Sequence, residues 1–253
     1  MCGPQITGHT GNDGTIDNSL DSVFKSIELG ADAFELDVRR DKKGNLVLSH
    51  NPCSQEGSKS YHHLAEVFEI LKDHPGLRIN CDLKEDNLPL ELINLAATFG
   101  LGADCLILTG IVALPYIKTY PEILAMADIY MNAENILEDV FFQQIGGQGA
   151  KISRNDYYQN PWKHLHGVFP NLDPYIGFLS DLCLEYGVKG INLPFSSVTD
   201  DNVKDFKKNG IPVSVWTVND EEQILRFLSL GVENLTTRYV RTAKLIRKNL
   251  YGF

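Results

Sequence analysis

Two acids and an imidazole stand out first. In the stretch Ala33 to Asn51, AFELDVRRDKKGNLVLSHN, the apolar residues Phe34, Leu36 and Val38 alternate with Ala33, Glu35 and Asp37. That period of two is the signature of a strand with two different faces. The apolar set packs outward and leaves both carboxylates side by side on the other face. Asp41-Lys42-Lys43-Gly44 reads as a turn and Leu46-Val47-Leu48 as a returning arm, which sets Asp37 roughly opposite His50. Glu35 and Asp37 could instead be solvated residues on a half-exposed sheet face, which is common enough to need outweighing.

The elements around this stretch outweigh it. Gln5 to His9 reads as a strand ending in a glycine-flanked histidine, and Ser19 to Leu29 as a helix stopped by Gly30. His62 to Leu71 reads as helix and Arg78 to Lys84 as strand, with Asn80, Asp82 and Lys84 on one face. Helices over Pro89–Phe99, Ala113–Tyr120 and Ile136–Gln144 then alternate with strands over Cys105–Thr109 and Leu124–Met131. The rhythm breaks from Gly146 to Pro170. It resumes with helices at 172–186, 200–209, 221–230 and 242–250 and strands at 188–193, 213–218 and 234–237. With the hairpin arm set aside, this is an α/β chain of eight strands separated by helices. It predicts one domain over 1–253, a (βα)8 TIM barrel with a hairpin excursion after the second strand.

Functional side chains of such barrels project from the C-terminal ends of the strands. His9, Glu35, Asp37, Asp82, Lys84 and Trp216 all fall at or near those ends. Three carboxylates converging without thiolates suit one hard divalent cation, Mg²⁺ or Ca²⁺. Without a cation they would repel and raise one another's pKa values. Lys84 offers a point charge to an anionic substrate. His9 and His50, on opposite sides of the acids, fit an acid and a base flanking a scissile bond. Together this is equipment for metal-assisted phosphodiester cleavage.

Composition bounds the partners. The 253 residues are 43% hydrophobic and 22% charged, which is ordinary for a folded domain. Lys and Arg number 23 against 33 Asp and Glu, a net −10 that disfavours nucleic acid or an anionic membrane surface; the small-molecule phosphodiester expected as substrate comes from the residue cluster alone. No stretch reaches the apolar length of a membrane span, and the first residues, MCGPQITGHTG, carry no secretory pattern. Five scattered cysteines (Cys2, Cys53, Cys81, Cys105, Cys183) have no metal-type spacing, so a reduced, cytoplasmic setting is expected. Oligomeric state stays open.

The runs GHTG, GADAFELDVRRDKKGNLVLSHN, INCDLK, IPVSVWTVND and GVENLTT resemble, in this order, the motifs of the glycerophosphodiester phosphodiesterase family. Ile16-Asp17-Asn18-Ser19 is similar to that family's PENT segment. The resemblance implies His9 and His50 as acid and base, Glu35, Asp37 and Asp82 as ligands of one divalent cation, Lys84 on the phosphate and Trp216 in the substrate pocket. It also implies a neighbouring substrate hydroxyl as nucleophile, by way of a cyclic phosphate. The chain departs from the family at Thr10 (Arg in the family), Asp82 (Glu) and Asn51 (Asp). Asp in DLK and the missing Arg are shared with the related sphingomyelinase D group. Two alternatives therefore stand beside a hydrolase: a lysophospholipid-cleaving lyase of that type, and a metal- or phosphate-binding barrel that has lost catalysis.

Among the remaining residues, Tyr157, Tyr158, Trp162, His164 and His166 in the irregular stretch read as a packed surface loop or oligomer contact before a lid. Cys53, three residues past His50, has no evident partner, and His62, His63 and His74 read as surface residues. Asn192 fits a rim position and a barrel-core position equally well.

Overall fold

The computed structural model describes residues 3–53, 60–133, 136–137 and 172–252. Cys2, the 138–144 part of the expected Ile136–Gln144 helix and the expected irregular stretch 146–170, with its aromatics and histidines, lie outside them. Nine strands form one sheet: β1 (Gln5–Gly8), β2 (Ala33–Arg40), β3 (Leu46–Leu48), β4 (Arg78–Leu83), β5 (Leu106–Gly110), β6 (Asp128–Asn132), β7 (Gly190–Pro194), β8 (Val213–Trp216) and β9 (Asn234–Thr237). Eight of them pair in parallel, and β1 joins both β2 and β9, so the sheet closes into a (βα)8 barrel. The ninth, β3, is the hairpin arm, antiparallel to β2.

The helices bounded among the described residues are α1 (Leu20–Glu28), α2 (Leu64–Lys72), α3 (Pro89–Thr98), α4 (Leu114–Thr119), α5 (Ile176–Tyr186), α6 (Asp200–Lys208), α7 (Glu221–Leu230) and α8 (Val240–Tyr251). Among the described residues no helix is long and apolar enough to cross a membrane. Phe34, Leu36 and Val38 are buried against this outer layer, each worth roughly 1.5–3 kcal/mol of apolar transfer. The expected strand at Leu124 begins instead at Asp128. Pro121–Ala125 is a turn of 3-10 helix, because Pro121 at its start favours a helical turn over a ladder.

The barrel interior is built largely of paired polar residues. Thr7 donates to Asn234 at 2.7 Å, and Asn234 donates in turn to Ser214 and Thr236. Thr109 donates to Asn80 and Asn192 to Asn132, both at 2.9 Å. Each would be costly to bury alone, and in pairs they are affordable. Ala33, Ile107 and Tyr130 form a small separate apolar cluster.

The hairpin differs from expectation by one residue. Val38 pairs with Leu48, so the partner of Asp37 is Ser49, whose N–H donates to the Asp37 carbonyl at 3.0 Å. Asp41 N–H donates to Asn45, which leaves a three-residue loop, Lys42 to Gly44. Such loops end on a left-handed residue, and Gly44 holds φ +88°. His50 lies just beyond the arm, its carbonyl held by Arg39 Nε at 2.9 Å. The far edge of β3 is covered where Leu48 N–H donates to His62.

Candidate active site

At the C-terminal rim a cavity of about 340 Å³ is lined by His9, Glu35, Asp37, His50, Asp82, Lys84 and Trp216, the seven residues singled out from sequence. The register explains the convergence. Glu35 pairs with Asn80 and Asp37 with Asp82, so the inward faces of β2 and β4 lay their polar side chains in adjacent rows. Ligand atoms of Glu35, Asp37 and Asp82 lie within 4.8 Å of one another. Glu35 and Asp37 are only 4% exposed, which rules out solvated residues on an open face.

Lys84 binds the acids together, with Nζ 2.9 Å from Asp37 and 2.6 Å from Asp82. Burial works against its ammonium, yet Asp82 and Asp37 hold the proton more tightly than in an ordinary lysine. Burial would also raise Asp37. Lys84, the Asn18 amide and His50 more than cancel that and hold its carboxyl below the usual range. Glu35 has His9 at 3.7 Å but no direct contact with Lys84. Burial pushes its pKa up to about 7; His9 opposes this, and the charges of Asp37 and Asp82 add to it. The part of the upward shift that Asp37 and Asp82 contribute is the mutual repulsion expected of acids gathered without a cation.

The donor set fits a hard divalent cation. Asp82 Oδ1 is buried without a hydrogen-bond partner, an oxygen left over after Lys84 takes Oδ2. Gly110 makes room for it: a Cβ there would sit 2.1 Å from Asp82 Oδ1 and 2.3 Å from the Leu83 carbonyl, and its φ is +76°.

The loop after β1 supplies what the motifs only hinted at. Asn18, at φ +55°, grips Asp37 twice: its Nδ2 donates to Oδ2 at 2.8 Å and its Oδ1 accepts from the Asp37 N–H at 3.0 Å. Thr10 N–H donates to Glu35 at 3.1 Å, while its hydroxyl accepts from Asn18 N–H. The residue that departs from the family's arginine is therefore bound into the acid scaffold.

The imidazoles are each tied through Nδ1. His9 Nδ1 lies 2.7 Å from the Thr10 carbonyl, which makes it the donor, and its Nε2 is 3.7 Å from Glu35. His50 Nδ1 lies 3.3 Å from Asn51 Oδ1. Asn51→Asp would place a charge at that contact and favour the imidazolium. If His50 acts in proton transfer, the pH–rate profile of this variant should move to higher pH relative to wild type, with the fold intact. An unfolded variant, or an unchanged profile, would show that residue 51 does not act through His50.

Cys53 is buried and does not line the cavity. Asn192 does line it, from inside the barrel. Sequence reading did not single out Thr109, Thr236 or Arg238, which also line the cavity. Arg238 directly follows β9, and surveying every strand end would have found it.

Comparison with known proteins finds similarity in both sequence and fold. Residues 155–242 match the model of the Glycerophosphoryl diester phosphodiesterase family. A Glycerophosphodiester phosphodiesterase of Caldanaerobacter subterraneus subsp. tengcongensis is 24% identical over 255 residues, covering 96% of this chain and 98% of the relative. In fold, a glycerophosphodiester phosphodiesterase from Parabacteroides distasonis superposes with a TM-score of 0.66 at 16% identity, over 98% of each chain. An Oleispira antarctica phosphodiesterase, solved with the product sn-glycerol-3-phosphate, superposes with a TM-score of 0.62 at 17% identity, over 96% of each. With one relative aligned along almost its whole length and the motifs in order around one barrel rim, the chain is similar to the glycerophosphodiester phosphodiesterase family.

Proposed function

We propose that this barrel is a metal-dependent phosphodiester hydrolase acting on a glycerophosphodiester-like compound in a reducing, cytoplasmic setting. The observation that carries the reading is the gathering of two histidines, three carboxylates and a lysine around one cavity. Glu35, Asp37 and Asp82 would hold one Mg²⁺ or Ca²⁺, which supplies Lewis-acid polarisation of a phosphoryl oxygen when bound.

The chain's own groups do the proton work. Because Nδ1 of each histidine is engaged, Nε2 is the nitrogen left to take or give a proton. A hydroxyl beside the phosphate attacks phosphorus, and one histidine takes its proton as the new P–O bond forms. The second histidine protonates the departing alkoxide as the old P–O bond breaks. Water then opens the cyclic phosphate with the two roles reversed. Lys84 neutralises charge on the acids and phosphate, and Trp216 offers an apolar wall to the substrate.

A panel of glycerol-, choline-, ethanolamine- and inositol-containing phosphodiesters, assayed with Mg²⁺, Ca²⁺ and EDTA, tests the activity. Metal should also raise the thermal midpoint, by linkage of binding to folding: about 2.7 kcal/mol of stabilisation when metal stands at a hundred times its dissociation constant. EDTA-insensitive turnover together with an unmoved midpoint at millimolar metal would remove the cation from the reading. Metal and phosphate binding without turnover on any substrate would favour a binding barrel, and accumulation of a cyclic product from a lysophospholipid a lyase.

A further inference from the structure

A phosphodiester entering this cavity brings a negative charge to a rim already crowded with carboxylates. Lys84 is committed to two of them. Beside His9, Thr10 supplies no cation, and its hydroxyl is taken by Asn18. Among the described residues, Arg238 is the remaining lysine or arginine that lines the cavity.

Its position is built. His9 N–H donates to the Thr237 carbonyl at 2.8 Å, so β1 and β9 deliver His9 and Arg238 side by side. Arg238 N–H is fixed by Asn219 Oδ1 at 2.9 Å. Its Nη1 donates to Asp17 at 2.7 Å and reaches the Gly11 carbonyl at 3.5 Å. Gly11 leaves space for this pair: a Cβ there would lie 2.0 Å from Asp17 Oδ1 and 2.4 Å from Arg238 Nη1, and its φ of +72° also suits glycine. Nε and Nη2 have no hydrogen bond among the described residues, and the side chain is 36% exposed. A planar fork held at one corner keeps its other edge for a bidentate partner.

We propose that Arg238, oriented by Asp17 in the space left by Gly11, is the residue that grips the phosphate, its Nε–Nη2 edge donating to two non-bridging oxygens. The ligand class rests on the phosphodiesterase reading, but the grip can be measured without turnover. Inorganic phosphate, titrated calorimetrically into the full chain at fixed Mg²⁺, is the probe. Arg238→Ala should weaken its binding roughly 10–100-fold, the range for hydrogen bonds to charged groups. Arg238→Lys, a charge without a fork, should fall between wild type and Ala. Gly11→Ala should weaken phosphate binding with the guanidinium still present. In the Arg238 variants the metal-induced rise in thermal midpoint should persist, and KM for the best substrate should rise more than kcat falls. Phosphate affinity within twofold of wild type in both Arg238 variants, with unchanged midpoints, would overturn the assignment. Wild type that binds phosphate through Arg238 yet turns over no phosphodiester would overturn the enzyme reading and support this one.

Discussion

Replacing His9 or His50 by alanine should lower turnover by roughly 10²–10⁴-fold while leaving the barrel folded, the usual worth of a positioned general acid or base. Neither histidine belongs to the carboxylate cluster, and neither contributes to the apolar core. The metal-induced rise in midpoint should therefore persist in both variants. His50 lies on an exposed turn, so its loss removes little packing. His9 is 21% exposed and contacts Glu35 through Nε2, so a small stability change is expected there. If both groups serve one proton-transfer sequence, as proposed, the double variant should lose less than the product of the single losses. Full turnover in both single variants would show that the protons move elsewhere.

Lys84→Met should produce the largest change in stability. Its side chain is 21% exposed, and its ammonium sits between Asp37 and Asp82. Removing one partner from a buried ionic cluster costs about 3–5 kcal/mol, and partial exposure puts this case at the lower end. For a chain of this size, about 3 kcal/mol corresponds to a fall of roughly 6–12 °C in the midpoint measured in EDTA. Metal should reverse the order. Without a cation competing for the same oxygens, the acids should bind Mg²⁺ or Ca²⁺ more tightly, so the metal-induced rise should exceed that of wild type. Turnover should still fall, because the point charge facing the phosphate is gone. An unchanged midpoint in EDTA, or a smaller metal-induced rise than in wild type, would mean that Lys84 does not hold the acids together.

Much of this was legible in the sequence for a physical reason. Alternation in β2 and β4 is imposed by burial of one face, so Glu35, Asp37 and Asp82 had to emerge on the other. His50 was harder to position, because a hairpin register depends on the loop conformation as well as the pattern. Gly44 in the left-handed region selects a three-residue loop and moves the pairing by one. The limits of β6 were misread because hydropathy continues through Leu124 to Met131 while Pro121 starts a helical turn. Asn18 stood in a recognisable segment, but its double bond to Asp37 depends on a left-handed backbone that spacing cannot reveal. Arg238 was least legible of all. Its partners Gly11 and Asp17 are more than 220 residues away, and only barrel closure brings them together.

The β1–β9 pairing also bears on when the site comes into being as the chain is made. All three carboxylates, both histidines and Lys84 are complete by residue 84, long before β9 has been synthesised. Until Asn234–Thr237 is added, β1 has a partner on one side alone, His9 N–H lacks the Thr237 carbonyl, and the pocket lacks Arg238. A nascent chain therefore carries the two histidines and the acids early but completes the cavity around them last. Its open β1 edge is a surface that folding has to shield until the final strand docks.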